Sequence, residues 1–303
     1  MQETTATETL PVFIYDCFSD TRFGGNVGGL VLNAGGLSTE TMQSIAREIN
    51  ASVTGFVIRQ DGRDVTVRFF MPAAEIAMCG HVTIGLFSYM IEEGGFDGGA
   101  FTMNAPAGKV KVKVAKNRVS PPNVLMEVGL PALKALGKYT SELADALGLK
   151  GEELGVLNPL EIAEAGLNHL FVQMDSLKAV QKLAPDFRKL TDVSNAYGVH
   201  TVACFAMETE NPENTLYIRD FCPAVGADEV PASGTTNGAL TGYLVRYGLV
   251  PAGAQTVLAE QGAEIGRPSL IRCEITSEDG VLTSVQVGGQ AVASLKGVAY
   301  GGA

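Results

Sequence analysis

Val67-Arg68-Phe69-Phe70-Met71-Pro72 and Ile218-Arg219-Asp220-Phe221-Cys222-Pro223 are two versions of one phrase. Each is a run of strand-forming side chains closed by a proline, which cannot continue a central strand. Each leads within a few residues to a short turn that pairs a nucleophilic side chain with glycine. The turn is Cys79-Gly80-His81 in the first copy and Ser233-Gly234-Thr235 in the second. An apolar helical pattern follows each turn, from Val82 to about Ile91 and through Leu240, Leu244 and Val245 to Gly248. Two copies mean duplication, not a solenoid. The chain is therefore expected to form an N-terminal half over residues 1–130, carrying Cys79, and a C-terminal half over 131–303, carrying Ser233. The boundary is expected near 130–158, where polar helix-like sequence runs from Ser141 to Leu149.

Working outward, the same order of elements surrounds each phrase. Pro11 to Cys17 and Gly29 to Leu32 read as strands, separated by a turn at Gly24-Gly25-Asn26. Ser38 is a good N-cap for a helix whose apolar face is Met42, Ile45, Ala46 and Ile49. Phe56–Ile58 and Val65–Phe70 read as strands about a turn at Asp61-Gly62. In the second half Leu170–Val172 predicts a strand, and a helix after Pro185 presents Phe187, Leu190 and Val193 on one face. Val202–Met207 and Leu216–Phe221 predict two more strands.

Composition narrows the function. At 303 residues and 46% hydrophobic, the chain has enough apolar sequence for two ordinary cores without disulfide or metal staples. The net charge is −11, and no Lys/Arg cluster offers the basic footprint that nucleic acid requires. Cys17, Cys79, Cys204, Cys222 and Cys273 are scattered and odd in number, which argues against a disulfide framework or a zinc site and for a reducing compartment. Met1 to Thr9 lacks a signal pattern, and no apolar run approaches the ~20 residues that span a bilayer. A cytoplasmic protein without membrane or nucleic-acid partners is expected. Dinucleotide, P-loop, G-x-S-x-G and H-E-x-x-H motifs are missing, so no cofactor or metal is expected.

Chemistry is expected at the two turns. A helix N-terminus presents unpaired N–H groups and partial positive charge, which favours a thiolate and binds carboxylates. Cys79 is therefore predicted as a proton-transfer residue with a lowered pKa, whereas the other four cysteines read as small buried hydrophobes. Ser233 at the equivalent turn is either a partner of Cys79 across a cleft or a plain helix cap. His81 is predicted to orient substrate, tune Cys79 or shuttle a proton. His169 and His200 precede buried strands and are expected to satisfy backbone groups. Asn26 either binds substrate or shapes its turn. Backbone amides around Gly80, Gly234 and Thr235 are candidates for holding a substrate anion.

Taken together, these segments resemble the PhzF-like isomerase family of phenazine biosynthesis, which groups with diaminopimelate epimerase and proline racemase. The resemblance rests on Asp16-Cys17-Phe18 through Gly24-Gly25-Asn26, Ile45 to Asn50, Arg68-x-Phe70-x-Pro72 through Gly80-His81, Ser233-Gly234-Thr235, Glu260-Gln261-Gly262 and Gly266-Arg267-Pro268-Ser269. It implies an α+β, diaminopimelate-epimerase-like fold of two pseudo-symmetric halves, each a curled sheet around a central helix, with no cofactor. A homodimer is compatible with it. Two positions depart from the family. Val53 stands where PhzF proteins carry a catalytic Glu, and Val230 stands where they carry an Asp. Conversely, Met78-Cys79-Gly80-His81 resembles the first catalytic motif of proline racemases, whose second catalytic Cys corresponds to Ser233. The expected function is a cofactor-independent isomerase that shifts a proton and a double bond on a small carboxylate-bearing carbon acid, with Cys79 as acid/base. The alternatives are a racemase, epimerase or hydroxyproline-type dehydratase using Cys79 with Ser233, and a catalytically idle ligand-binding protein.

Overall fold

The computed structural model describes residues 8–115, 120–137, 140–149 and 157–301, which divide into two compact units. The first unit opens with β1 (Glu8–Cys17), β2 (Asn26–Val31), α1 (Thr39–Ile49), β3 (Val53–Asp61), β4 (Asp64–Phe70) and β5 (Glu75–Ile76). It continues through α2 (Gly80–Glu92), β6 (Gly99–Ala105), β7 (Gly108–Val114) and β8 (Val124–Glu127). The second unit comprises β9 (Ala132–Gly137), α3 (Ser141–Ala146), β10 (Leu160–Glu164), β11 (Asn168–Gln173), α4 (Leu177–Gln181) and α5 (Phe187–Tyr197). It ends with β12 (Thr201–Ala206), β13 (Leu216–Cys222), β14 (Ala227–Val230), α6 (Gly234–Arg246), β15 (Gly253–Gln261), β16 (Ser269–Glu278) and β17 (Val281–Gly289). The last strand, β18 (Ala291–Gly301), lies antiparallel to β1 from Glu8↔Gly301 to Cys17↔Ala291. The C-terminal segment that the sequence grouped with the second half thus sits in the first unit.

In the first unit β2 runs parallel to β3, β3 antiparallel to β4, and β4 parallel to β6. The second unit repeats this with β11, β12, β13 and β15. The match holds to the residue. Phe70 pairs with Glu75 and Phe221 with Glu229. Arg68 clamps Glu75 through two bonds of 2.7 Å, and Arg219 clamps Glu229 at 3.0 and 2.7 Å. The arginine of the repeated phrase therefore locks the short strand that delivers the chain to the next helix. The first pair is part-exposed, whereas the Arg219–Glu229 pair is buried.

Each unit is built around one central helix. Val82, Ile84, Leu86, Phe87 and Met90 of α2 are buried, as are Ala239, Leu240, Tyr243 and Leu244 of α6. Helices apolar on all sides are stable only when enclosed, and α2 packs on β1, β2, β3 and β18, α6 on β9, β10, β11 and β16. The outer helices are amphipathic and capped at both ends. Ser38 accepts from the Thr41 amide, and Asp186 accepts from the amides of Arg188 and Lys189. Asn50 and Gly198 close the same helices in the left-handed conformation, at φ 54° and 67°. Met42, Ile45 and Ala46 of α1 seal a core with Leu10, Val31, Phe56 and Phe70, and Leu190 of α5 seals one with Leu170, Val202 and Phe221. No helix among the described residues is long and apolar enough to cross a membrane.

Candidate active site

Cys79 is the N-cap of α2, with extended backbone at φ −144° and ψ 115°. Ser233 is the N-cap of α6 in almost the same conformation, φ −134° and ψ 112°. The residue four positions into each helix ties back to the cap carbonyl. Thr83 Oγ1 donates to Cys79 O at 2.7 Å, and Asn237 Nδ2 donates to Ser233 O at 2.9 Å. The strand, clamp, turn and cap of the repeat thus present a thiol in one unit and a hydroxyl in the other.

The thiol does not behave as the helix terminus alone predicts. Cys79 is 6% exposed, and burial pushes its pKa up to about 12. The amides of Val82 and His81 pull the other way, with less effect. The expected lowering is therefore overturned: desolvation of the charged form outweighs the partial charge of the helix end. His81 is half-buried, and burial lowers its pKa to about 4, so its imidazole is neutral at pH 7.

Hydrogen-bond accounting assigns the tautomer of that imidazole. Ser52 Oγ has one proton, which it gives to Val27 O at 2.7 Å, the shortest of its contacts; Asn26 Oδ1 lies at 3.1 Å. The serine oxygen then accepts from His81 Nε2–H at 3.1 Å. This leaves His81 Nδ1 unprotonated, with Cys79 Sγ 3.4 Å from it and 3.7 Å from Nε2. The thiol therefore has a neutral base beside it. Of the predicted residues in this unit, the structure brings together Cys79, His81 and Asn26, with Ser52 as the link that sequence inspection missed. Val53, in place of the family's Glu, is 7% exposed and pairs with Gly28 at the start of β3.

In the second unit Ser233 is partly accessible and Thr235 exposed. Ser233 Oγ accepts from the Thr236 amide at 3.2 Å, lies 3.1 Å from Thr235 Oγ1 and lies 2.9 Å from Thr236 Oγ1. Ser233 is thus a helix cap, and capping leaves its own hydroxyl proton free to bond. Behind it, Thr236 Oγ1 donates to the buried carboxylate Asp220 Oδ2 at 2.6 Å. Burial pushes Asp220 up to about 6, against the pull of the Thr236 and Thr201 hydroxyls. His169 Nδ1 lies 2.9 Å from Thr201 Oγ1 and 3.2 Å from Thr236 Oγ1, and burial lowers its pKa to about 4. His169 therefore serves side-chain hydroxyls, not the backbone group expected of it. His200 does meet that expectation, accepting the Asn168 amide at 2.9 Å. Asp220 and Thr236 were not singled out in the sequence, although the mismatch of Phe69 with Asp220 between the two phrases was a visible signal. Cys17, Cys204, Cys222 and Cys273 are all buried, as their strand contexts predicted.

Residues 15–297 match the family model described as phenazine biosynthesis-like protein, PhzC-PhzF. The chain is 31% identical over 289 residues to the trans-2,3-dihydro-3-hydroxyanthranilate isomerase of Pseudomonas aeruginosa, covering 95% of this chain and 98% of that one. The crystal structure of a PhzF-family phenazine biosynthesis protein from Bacillus anthracis superposes with a TM-score of 0.88 at 26% identity, covering 96% of this chain and 99% of that one. A hydroxyproline epimerase from Agrobacterium vitis, solved with bound trans-4-hydroxy-L-proline, shares the fold at a TM-score of 0.61 and 12% identity, over 96% of this chain and 92% of that one. The architecture is thus the diaminopimelate-epimerase-like α+β fold, the named relative is an isomerase, and the chain belongs to the PhzC-PhzF family of phenazine biosynthesis-like isomerases.

Proposed function

We propose that this isomerase shifts a proton, and with it a double bond, on a small carboxylate-bearing carbon acid, with Cys79 and His81 as the exchanging pair. The observation that carries this is the 3.4 Å approach of Cys79 Sγ to the unprotonated Nδ1 of His81, whose other nitrogen is anchored on Ser52 at 3.1 Å. The pair rests as thiol and neutral imidazole. As Sγ takes a proton from the substrate carbon, its own proton passes to His81 Nδ1, and the C–H electron pair stays on the substrate as an enolate. Reversal onto a different carbon completes the shift. Amides at Gly80 and His81 are suited to hold the carboxylate and the developing enolate, because first-turn N–H groups lack helical partners. The Val27 carbonyl holds the Ser52 hydroxyl in place. The chemistry needs no organic cofactor.

A second reading, epimerisation with Cys79 and Ser233 as the two acid/base groups, is favoured by the polar residues behind Ser233. Incubation in D2O with trans-2,3-dihydro-3-hydroxyanthranilate and with trans-4-hydroxy-L-proline, followed by NMR, separates the readings. The expected result is label entering the unsaturated carboxylate with movement of its double bond, slowed ~10²–10⁴-fold in Cys79→Ala. Label at the α carbon of hydroxyproline in both epimers would support the second reading. Equal exchange by wild type and Cys79→Ala would remove Cys79 from the mechanism, and binding of either compound without any exchange would leave a ligand-binding protein.

A further inference from the structure

Behind the Ser233 turn lies a buried polar group that the fold does not require. Register assigns each of its members a counterpart in the first unit. With Arg68 matched to Arg219, the strand pairings match Phe69 to Asp220, Val53 to Thr201 and Gly28 to His169. The helix caps match Val82 to Thr236. The same place is thus filled by Gly28, Val53, Phe69 and Val82 in one unit and by His169, Thr201, Asp220 and Thr236 in the other. Contacts agree with this matching. A side chain at Gly28 would meet Val82 Cγ2 at 3.1 Å, where His169 Nδ1 meets Thr236 Oγ1 at 3.2 Å. Burying a carboxylate is costly, and an apolar filling of this backbone exists in the same molecule, so the polar set calls for a reason other than packing.

Proton accounting gives the set a direction. The Thr236 hydroxyl has one proton, and its shortest bond, 2.6 Å, is to Asp220 Oδ2. The same hydroxyl is also within donating distance of Ser233 Oγ, at 2.9 Å, so one shared proton links Ser233 to Asp220, while His169 Nδ1 stands 2.9 Å from Thr201 Oγ1 and 3.2 Å from Thr236 Oγ1. Asp220 Oδ1 and His169 Nε2 have no hydrogen-bond partner among the described residues. A continuous path runs from partly accessible Ser233 through Thr236 to a fully buried carboxylate.

We propose that Asp220 is a positioning residue for Ser233: acting through the Thr236 hydroxyl, it fixes the direction of the Ser233 proton and takes that proton up when Ser233 accepts one from substrate. This rests on the second reading above, in which Ser233 is an acid/base group toward substrate. The step balances. A C–H bond of the substrate breaks, its proton bonds to Ser233 Oγ, the Ser233 proton moves to Thr236 Oγ1, and the Thr236 proton moves to Asp220 Oδ2. The electron pair remains on the substrate, and the carboxylate becomes a neutral acid. The same path runs backward to return a proton.

The surroundings suit a carboxylate that changes state. Burial and the charge of Glu229 raise the pKa of Asp220, and the Thr236 and Thr201 hydroxyls lower it. Arg219, its neighbour on β13, is occupied by Glu229. Cys204 and Cys222 are raised by burial and stay thiols, and His169 is neutral above about 4. Asp220 is thus the group here poised to titrate near neutrality, at about 6.

The test uses the full chain labelled with 13Cγ-aspartate, the Asp220 resonance being identified by its loss in Asp220→Asn. Its midpoint is expected about two pH units above an ordinary aspartate. Ser233→Ala should shift that midpoint by a few tenths of a unit, Thr236→Val by roughly a unit upward, and Thr236→Ser should restore it. In D2O exchange with trans-4-hydroxy-L-proline, the wild-type rate should fall about tenfold per pH unit below the midpoint. Asp220→Asn and Thr236→Val should lose that limb and slow exchange by ~10²-fold or more, with Thr236→Ser recovering both. An Asp220 midpoint blind to Ser233→Ala, or an acid limb retained in Asp220→Asn, overturns the proposal. If no variant exchanges the probe, the substrate reading fails, while the NMR coupling of Ser233 to Asp220 still decides the relay.

Discussion

Replacing Asp220 by Asn should change the pH dependence of stability by an amount the structure sets. The carboxyl is fully buried, and its pKa rises from 3.8 to about 6. In the unfolded chain it returns to the ordinary value. Between those two values the folded state binds more protons than the unfolded state, so this group makes stability fall as pH rises. Its contribution is fully present below about pH 4 and lost as pH climbs through about 6. A shift of about two units corresponds to about 3 kcal/mol. The wild-type curve alone does not display this, because His81 and His169 are lowered from 6.5 to about 4. Those imidazoles make stability rise over nearly the same interval. The difference between wild type and Asp220→Asn isolates the aspartate, since the histidine contributions and any pH-independent cost of the amide cancel from its slope. Urea unfolding at half-unit steps from pH 4 to pH 8 is the assay. The stability of Asp220→Asn relative to wild type should climb by about 2–3 kcal/mol across that range, half of it by about pH 5, and level off above about 6. A flat difference, or one that falls with pH, would refute the assignment of a buried, titrating carboxyl at this position.

Other perturbations should read out separate parts of the molecule. Cys79→Ala should slow turnover ~10²–10⁴-fold while leaving the urea midpoint nearly unchanged, since the thiol is a small buried group with no ionic partner; an alanine variant with wild-type turnover removes the residue from the chemistry. Ser52→Ala should cost on the order of tenfold in turnover by releasing His81 Nε2, with little loss of stability because Ser52 is exposed. Val53→Glu should destabilise by roughly 1–3 kcal/mol and give no gain in activity, because the new carboxylate enters a buried strand position opposite Gly28; a faster Glu variant would show that this position still governs the reaction. Arg219→Ala should cost about 3–5 kcal/mol by leaving Glu229 buried without its partner, whereas Arg68→Ala, at the part-exposed copy of the same clamp, should cost about 1 kcal/mol or less; equal losses would contradict the burial difference.

Sequence alone disclosed what local pattern and repetition determine. The two Arg-x-Phe-x-Pro phrases located the clamps and the helices they feed. Ser38, with its apolar residues at helical spacing, located α1 to within a residue of its start. The later strands were not legible. Polar and small residues interrupt the apolar ones along β15 and β16, so no apolar run marks them. The pairing of β18 with β1 joins the two ends of the chain, and nothing local encodes it. At the site, Cys79, His81 and Asn26 were visible because they lie in turns, whereas Ser52 and Thr236 read as ordinary strand-edge and helix residues until distances connected them. The pKa of Cys79 went the other way because a helix end is a local feature, while burial is set by how the rest of the unit closes over the cap.

The two caps are one backbone device used twice, with different groups set beside it. Cys79 and Ser233 share a conformation, a following glycine, a tied-back carbonyl and a clamped strand before them. What differs is where each keeps its base. Cys79 has His81 on its own turn, within 3.4 Å. The residue equivalent to His81 is Thr235, and the residue equivalent to Ser52 is His200, which is occupied with the Asn168 amide. The second unit therefore has no imidazole to offer its cap from that side. Ser233 instead reaches a carboxylate from behind, through a helix residue whose counterpart at the first cap is the apolar Val82. With the Cys79 thiol raised to about 12 and the His81 imidazole lowered to about 4 by burial, the thiol would pass its proton across only as it took up another, and the Ser233 hydroxyl would need a path of bonded hydroxyls to a stronger acceptor. Asp220 stands two bonds behind Ser233 and His81 directly beside Cys79, so each cap has a group to which a displaced proton could pass.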